Sequence, residues 1–213
     1  MIAMGAIAAC ASVFALESAN IVGYANSELQ VGGTMTAAQF LTVGKDTISL
    51  DDIKPVGDGA SDTVEIQTLT SAGFTDKSYM WIDYAGPDWD QAGWIDNNAE
   101  LGDYYELVTG VTFPAGAGLW VFGADGLSIQ SAGQVNTDDV VVNLRVGATA
   151  LGNPYPITIA LTDILPVGDG ASDTVEIQTL TSAGYTDKSY MWIDYAGEDW
   201  DQAGWIDNNA ELG

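Results

Sequence analysis

Residues 55–102 read PVGDGASDTVEIQTLTSAGFTDKSYMWIDYAGPDWDQAGWIDNNAELG, and residues 166–213 repeat them with two changes in 48 positions, Phe74 to Tyr185 and Pro87 to Glu198. The reading of this stretch decides the fold. Residues 55–62 form a loop by their Gly and Asp content. Thr63 to Leu69 sets Val64 and Ile66 on one side and Glu65 and Gln67 on the other, the period of a half-buried strand. Ser71-Ala72-Gly73 turns the chain. Tyr79 to Tyr84 is the next strand, with Tyr79 and Trp81 on one face and Met80, Ile82 and Tyr84 on the other. A strand apolar on both faces belongs in the middle of a sheet, or leaves one face open to a partner. A short strand at Trp94-Ile95 ends at the turn Asn97-Asn98. No long helical periodicity follows the first residues, so the chain is expected to be all-β.

Working outward, Ile48 and Leu50 alternate as a short strand would, with Asp52 suited to the turn after them. Ser18 to Tyr24 is a first strand. Val111 to Phe113 is another, closed by Pro114. Leu119–Phe122 and Leu127–Gln130 flank Gly123-Ala124-Asp125-Gly126 and read as a hairpin. The front of each unit is also duplicated, more weakly: Leu29 to Thr34 returns as Leu144 to Thr149. Ser131-Ala132-Gly133 is similar to Ser18-Ala19-Asn20, which puts the unit boundary near Ser131. The expected organisation is a leader over 1–15, one β-rich unit over 16–131 and a second over 132–213, each β-sandwich-like. The second unit stops at the equivalent of Gly102, so the chain is expected to be a piece of a longer protein whose last strands it lacks.

The leader, MIAMGAIAACASVFA, is uncharged and built of small and apolar residues. It reads as the apolar and cleavage regions of a secretory signal peptide, with Val13 and Ala15 before the cut, although a positive n-region is missing. An alternative is a lipobox, Ile7-Ala8-Ala9-Cys10, which would anchor the protein through Cys10. Either implies export, to the exterior or the cell surface. The run is too short to span a membrane.

Hydrophobic residues make up 47%, enough for a core in each unit. Thirty acids against five Lys and Arg give a net charge of −25. That charge repels phosphates and excludes nucleic acid and anionic lipid as main partners. With no His at all and Cys10 the single Cys, Ser-His and Cys-His nucleophiles and thiolate or imidazole zinc sites are absent. Carboxylate pairs are uninformative in so acidic a chain, so no catalytic residue is assigned and no enzyme is expected.

Several elements carry a resemblance: Gly152-Asn153-Pro154-Tyr155-Pro156, the Ile-Gln-Thr-Leu strand, Tyr-Met-Trp-Ile-Asp, Gly-Trp-Ile-Asp and Gly-Ala-Gly-Leu-Trp-Val-Phe. Here the chain resembles an uncharacterised group of secreted tandem-repeat β-rich proteins of anaerobic bacteria. The resemblance covers nearly all of the chain after the leader and implies a secreted β-rich protein. It implies no activity and no site residues. One departure is that the first unit has Ala38-Gln39-Phe40 where the second has Gly-Asn-Pro-Tyr-Pro.

Two kinds of ligand are candidates. Asp88-Trp89-Asp90-Gln91-Ala92-Gly93 opens like an EF-hand loop, but Ala92 and Ala99 stand where oxygen ligands belong, and Glu100 falls one place late. The remaining calcium candidate is a looser oxygen cage of Asp88, Asp90 and Asp96 with Asn98, repeated at Asp199, Asp201 and Asp207, or one from Asp58 and Asp62. Loop Asp residues more often cap turns. No other cofactor is expected. The second candidate is an extracellular glycan stacked on Trp89 and Trp94, or Trp200 and Trp205. Aromatics at strand spacing are usually core, whereas Trp89 lies in a loop where no alternation buries it. The function expected is that of a non-enzymatic secreted or cell-surface structural or adhesive protein, whose partners are neighbouring repeats. The alternative is a carbohydrate-binding module of a larger extracellular protein.

Overall fold

The computed structural model describes residues 22–29, 34–35, 41–42, 44–72, 75–86, 90–99, 106–155, 157–180, 186–196 and 201–209. The leader lies outside the described residues, as do Pro87, Asp88, Trp89, Asp199 and Trp200. The protein is all-β, as expected. Its strands are β1 (Val22–Glu28), β2 (Thr34–Met35), β3 (Thr47–Ser49), β4 (Ile53–Val56), β5 (Glu65–Leu69), β6 (Thr75–Tyr84), β7 (Gln91–Asp96), β8 (Thr112–Pro114), β9 (Trp120–Phe122), β10 (Ser128–Gln134), β11 (Glu176–Leu180), β12 (Thr186–Ala196) and β13 (Asp201–Asp207). Among the described residues no helix is long and apolar enough to cross a membrane.

The first copy of the 48-residue stretch supplies most of an antiparallel five-stranded sheet, β2-β9-β5-β6-β7. β6 is interior, which explains why both its faces are apolar. Tyr79 and Trp81 share a face with Ile66, and Trp81 lies directly opposite Trp94 with the rings edge-on at 5.4 Å. Ile82 turns to the other face, where it and Ile95 are fully buried, and Leu107 bridges to Ile95. A second sheet, β1-β10-β4, and the pair β3-β8 complete the unit. One cluster joins all three: Ile48 and Phe113 from the pair, Ile53 and Ile129 from the second sheet, Ile66, Trp94 and Val121 from the first. The Trp94 indole N–H donates to the Ile53 carbonyl at 2.8 Å, so the buried indole keeps its one polar atom satisfied.

Two local expectations change. Leu50 is not in a strand. β3 ends at Ser49, whose hydroxyl accepts from the Asp51 N–H (3.2 Å) and caps a 3₁₀ turn over Leu50–Asp52. Ile48 and Leu50 are both buried, at 1% and 0% exposure. The second concerns β9 and β10, which are not a hairpin. β9 pairs with β2 and β5, whereas β10 pairs with β1 and β4 in the other sheet. The turn at 123–126 is real, with the Leu127 N–H donating to the Ala124 carbonyl (3.3 Å), but it carries the chain between sheets. β10 also runs unbroken through Ser131, where the sequence register puts the division between units.

The second copy forms the same three strands in the same register. Tyr190 opposes Asp207 as Tyr79 opposes Asp96, Trp192 opposes Trp205, and the irregularity at Thr68/Leu69 recurs at Thr179/Leu180. What surrounds them differs. Leu50, Ile53, Val64, Ile66, Trp94 and Ile95 are all buried, yet their counterparts Leu161, Ile164, Val175, Ile177, Trp205 and Ile206 are half-buried. Val56 is 44% exposed and Val167 is 93%. Ile193, in the middle of the three strands, alone keeps the full burial of its counterpart Ile82 among these aliphatic and indole pairs.

The cause is one stretch of chain. Residues 106–134 of the first unit hold Leu107 and β8 to β10, and no described residue of the second copy takes their place. Two glycine pairs make the contact explicit. A Cβ at Gly57 would meet the Leu127 side chain at 2.8 Å and one at Gly93 would meet Leu107 at 2.9 Å, whereas Gly168 and Gly204 have nothing within 4 Å. Leu29 is 3% exposed with its N–H donating to the Leu127 carbonyl, and its counterpart Leu144 is 53% exposed.

Candidate functional site

The sequence-predicted site residues that the structure describes do not assemble into one site. Trp94 is 2% exposed within the core cluster, so it has no face to offer a sugar. Trp205 is half-buried against Trp192 (5.4 Å, edge-on), and its indole N–H donates to the Ile164 carbonyl at 2.8 Å. Its polar atom is thereby used internally. Asp90 is exposed at the start of β7 and Asp96 ends that strand. Six residues of extended chain separate them by about 20 Å, whereas calcium needs its oxygens about 2.4 Å from one point. The same holds for Asp201 and Asp207 at the two ends of β13. Asp96 and Asp207 instead accept from the Asn98 and Asn209 N–H groups at 2.9 and 2.8 Å, capping the turns that follow. The cage built on Asp90 with Asp96, or Asp201 with Asp207, is therefore excluded by strand length. Asp88, Trp89, Asp199 and Trp200 lie outside the described residues. No group of three or more metal-ligating side chains occurs among the described residues.

Asp62 has a different task. Its backbone is left-handed (φ 60°), and so is that of Asp173 (φ 58°). Its carboxylate accepts from the Tyr84 hydroxyl (2.5 Å) and the Ser61 hydroxyl (3.0 Å), while Ser61 Oγ accepts from the Asp83 N–H (2.9 Å). Asp173, Tyr195, Ser172 and Asp194 repeat the arrangement. The corner ties the loop before β5 to the end of β6. Donation to Asp173 holds the Tyr195 phenol above its ordinary pKa.

A polar network also repeats on the sheet face opposite the core cluster. Ser78 Oγ and Gln67 Nε2 donate to Glu65, Thr75 donates to Gln67, and Asn98 Oδ1 accepts from the Ser78 N–H. In the second copy Ser189 and Gln178 donate to Glu176. The Ser189 hydrogen bond, then that of Gln178, holds the Glu176 carboxyl below its ordinary pKa, with burial opposing weakly. A depressed folded value means that the contribution is present above the unfolded value, about 4.3, and is lost as pH falls through the folded one. Amide exchange in β11 and β12 should therefore accelerate below about pH 4, relative to Glu176→Gln, which keeps an acceptor but does not titrate there. Equal pH dependence of exchange in the two proteins would remove Glu176 as the cause.

A cleft of about 670 Å³ lies between the turn at 44–46, Pro114-Ala115 and residues 134–141. Exposed Asp46, Asp138, Asp139 and Lys45 line it. Leu41 and Gln134 hold its wall by mutual backbone hydrogen bonds, and Gln134 Oε1 accepts from the Gly44 N–H at 3.1 Å. Asn136, 7% exposed, accepts through Oδ1 from the Asp138 N–H (3.2 Å). That fixes Nδ2 as the other end of the amide, and Nδ2 is buried without a hydrogen-bond partner. An unpaired buried donor is costly and calls for an acceptor. The cleft is thus rimmed by carboxylates and one cation, with the Asn136 amide buried in its wall. Asn136 carries no sequence signal, because it lies in a stretch with neither periodicity nor a motif.

No family model, curated protein or solved structure matches the chain.

Proposed function

We propose that the protein is a non-enzymatic secreted or cell-surface protein with a structural or adhesive role, built from tandem β-rich units. The observation that carries this reading is how the chain leaves the first unit. Residues 145–152 do not hang free but are bonded back onto it. Gly118 N–H donates to the Ala150 carbonyl (3.0 Å) and Gly152 N–H to the Gly116 carbonyl (2.9 Å), while Ala148 N–H donates to Ser71 and Arg145 Nη2 to the Leu69 carbonyl. Gly147 (φ 94°) passes so close to Ser71 that a Cβ there would lie 2.4 Å from the Ser71 carbonyl oxygen. A pinned exit followed by the same strand module suits an array that transmits position or load between units. The resemblance to secreted tandem-repeat proteins and the acidic, histidine-free composition support the same reading.

A carbohydrate-binding module is the second reading, favoured by the unpartnered Asn136 amide in its acid-rimmed cleft. A glycan array probed with the chain and with its Asn136→Ala and Trp89→Ala variants separates the two. The structural reading expects no glycan-selective signal from any of them. Binding by the parent chain that either variant abolishes would replace it with the second reading.

A further inference from the structure

The outer face of the sheet β1-β10-β4, in the first unit, carries almost none of the molecule's charge. The inner face of this sheet holds Ile53 and Ile129 of the core cluster. Alternation and register turn the other set of residues outward: Val22, Tyr24 and Glu28 on β1, Ala132 on β10, Lys54 and Val56 on β4, with Ser, Asn and Gln at the remaining positions. Only Glu28 and Lys54 among these outward residues are charged, and they cancel, in a chain of net charge −25. Val22 and Tyr24 are each 64% exposed, and Val56 is 44% exposed. Ala132 lies directly opposite Tyr24, exposed and too small to cover the ring.

We propose that this face is a weak self-contact, whose occupant is the same face of a second copy of the chain. Charge selects that occupant. A cationic partner is drawn to the acids elsewhere on the molecule, and an anionic one is repelled. Two copies repel as well, but least where the surfaces brought together carry no net charge. There the exposed Tyr24 and Val22 of each copy bury apolar surface against the other, with the same residues serving on both sides. Size sets the strength. Three strands about 4.8 Å apart and seven residues of about 3.4 Å each give a face of at most roughly 14 by 24 Å. Two such faces bury roughly 700 Å² in total, below the about 1,200 Å² at which stable interfaces begin, so the contact is transient. The inference rests on the structural reading, because copies held side by side in an array multiply a weak contact into a firm one.

Sedimentation equilibrium of the intact chain, at concentrations up to about 1 mM, tests the contact. Raising the salt from about 10 to about 100 mM shortens the Debye length from about 30 to about 10 Å, so self-association should strengthen. Tyr24→Asp should weaken it about tenfold or more at the higher salt, and Tyr24→Ser, which adds no charge, should weaken it less. Both variants should melt with the parent chain, because Tyr24 is largely exposed. Absence of association at either salt, or association that weakens as salt rises, would overturn the proposal. Association that both variants leave unchanged would place the contact elsewhere on the chain, and would overturn it too. Glycan binding by the parent chain bears on the structural reading alone, so that reading and this contact can fail separately.

Discussion

Ile66→Ala is expected to destabilise the first unit by about 3–4 kcal/mol, and Ile177→Ala to destabilise the second by about 1 kcal/mol or less. The two residues occupy the same position of the same sequence. Ile66 is fully enclosed, with Val121 across from it in β9, so truncation there loses the transfer energy of its removed methyl and methylene groups and leaves a cavity. Ile177 is half-buried, so much of its side chain already meets water and a truncated site can fill with solvent. Urea unfolding followed at assigned amide peaks of β6 and β12 reports the two units separately. Similar losses at both sites would mean that the second copy is closed in solution by something else.

Val121→Asp should have a larger effect on the first unit. Val121 is fully buried and pairs with both Thr34 and Ile66, so it links β2 to β5 through β9. A carboxylate there has no buried cation to meet, since the chain's few Lys and Arg that the structure describes are exposed. The cost is about 4–5 kcal/mol or more, enough to open a unit of ordinary stability. Val121→Ala should cost about 2 kcal/mol and leave the unit folded. Fluorescence quenching by acrylamide should rise for Trp94 and Trp120 in the Asp variant and stay unchanged for Trp192 and Trp205. A first unit that keeps its unfolding midpoint with Asp at 121 would show that β9 does not close it.

Much of this fold was legible in the sequence because the strands obey simple periodicity. Val64 and Ile66 alternate and are buried, and the two-sided apolar run at Tyr79–Tyr84 identifies an interior strand. What the sequence could not supply was which sheet a strand joins. Gly123-Ala124-Asp125-Gly126 has the chemistry of a tight turn, but turn chemistry is silent on whether the next strand pairs with the last or crosses to another sheet. The pairing of Asp90 with Asp96 in one calcium cage failed for a related reason. A strand of only Trp94-Ile95 leaves Asp90 and Asp96 in neighbouring loops, whereas the observed β7 spans Gln91–Asp96 and drives them apart. Trp94 could be read as a surface aromatic until its partner across the sheet, Trp81, and its acceptor, Ile53, were in view. The Asn136 cleft was invisible because its walls come from residues far apart in sequence.

The central claim is that one module folds twice and that residues 106–134 close only the first copy. Amide hydrogen exchange at four residues of the intact chain tests it most directly. Glu65 and Gln67 direct their N–H groups to β9, and Glu176 and Gln178 direct theirs to an edge that no described strand covers. The first pair should exchange only with opening of the unit, at least about 1,000-fold more slowly than the second pair, which should exchange at nearly the rate of an exposed strand edge. Equal protection of the two pairs in the dilute chain would contradict the account.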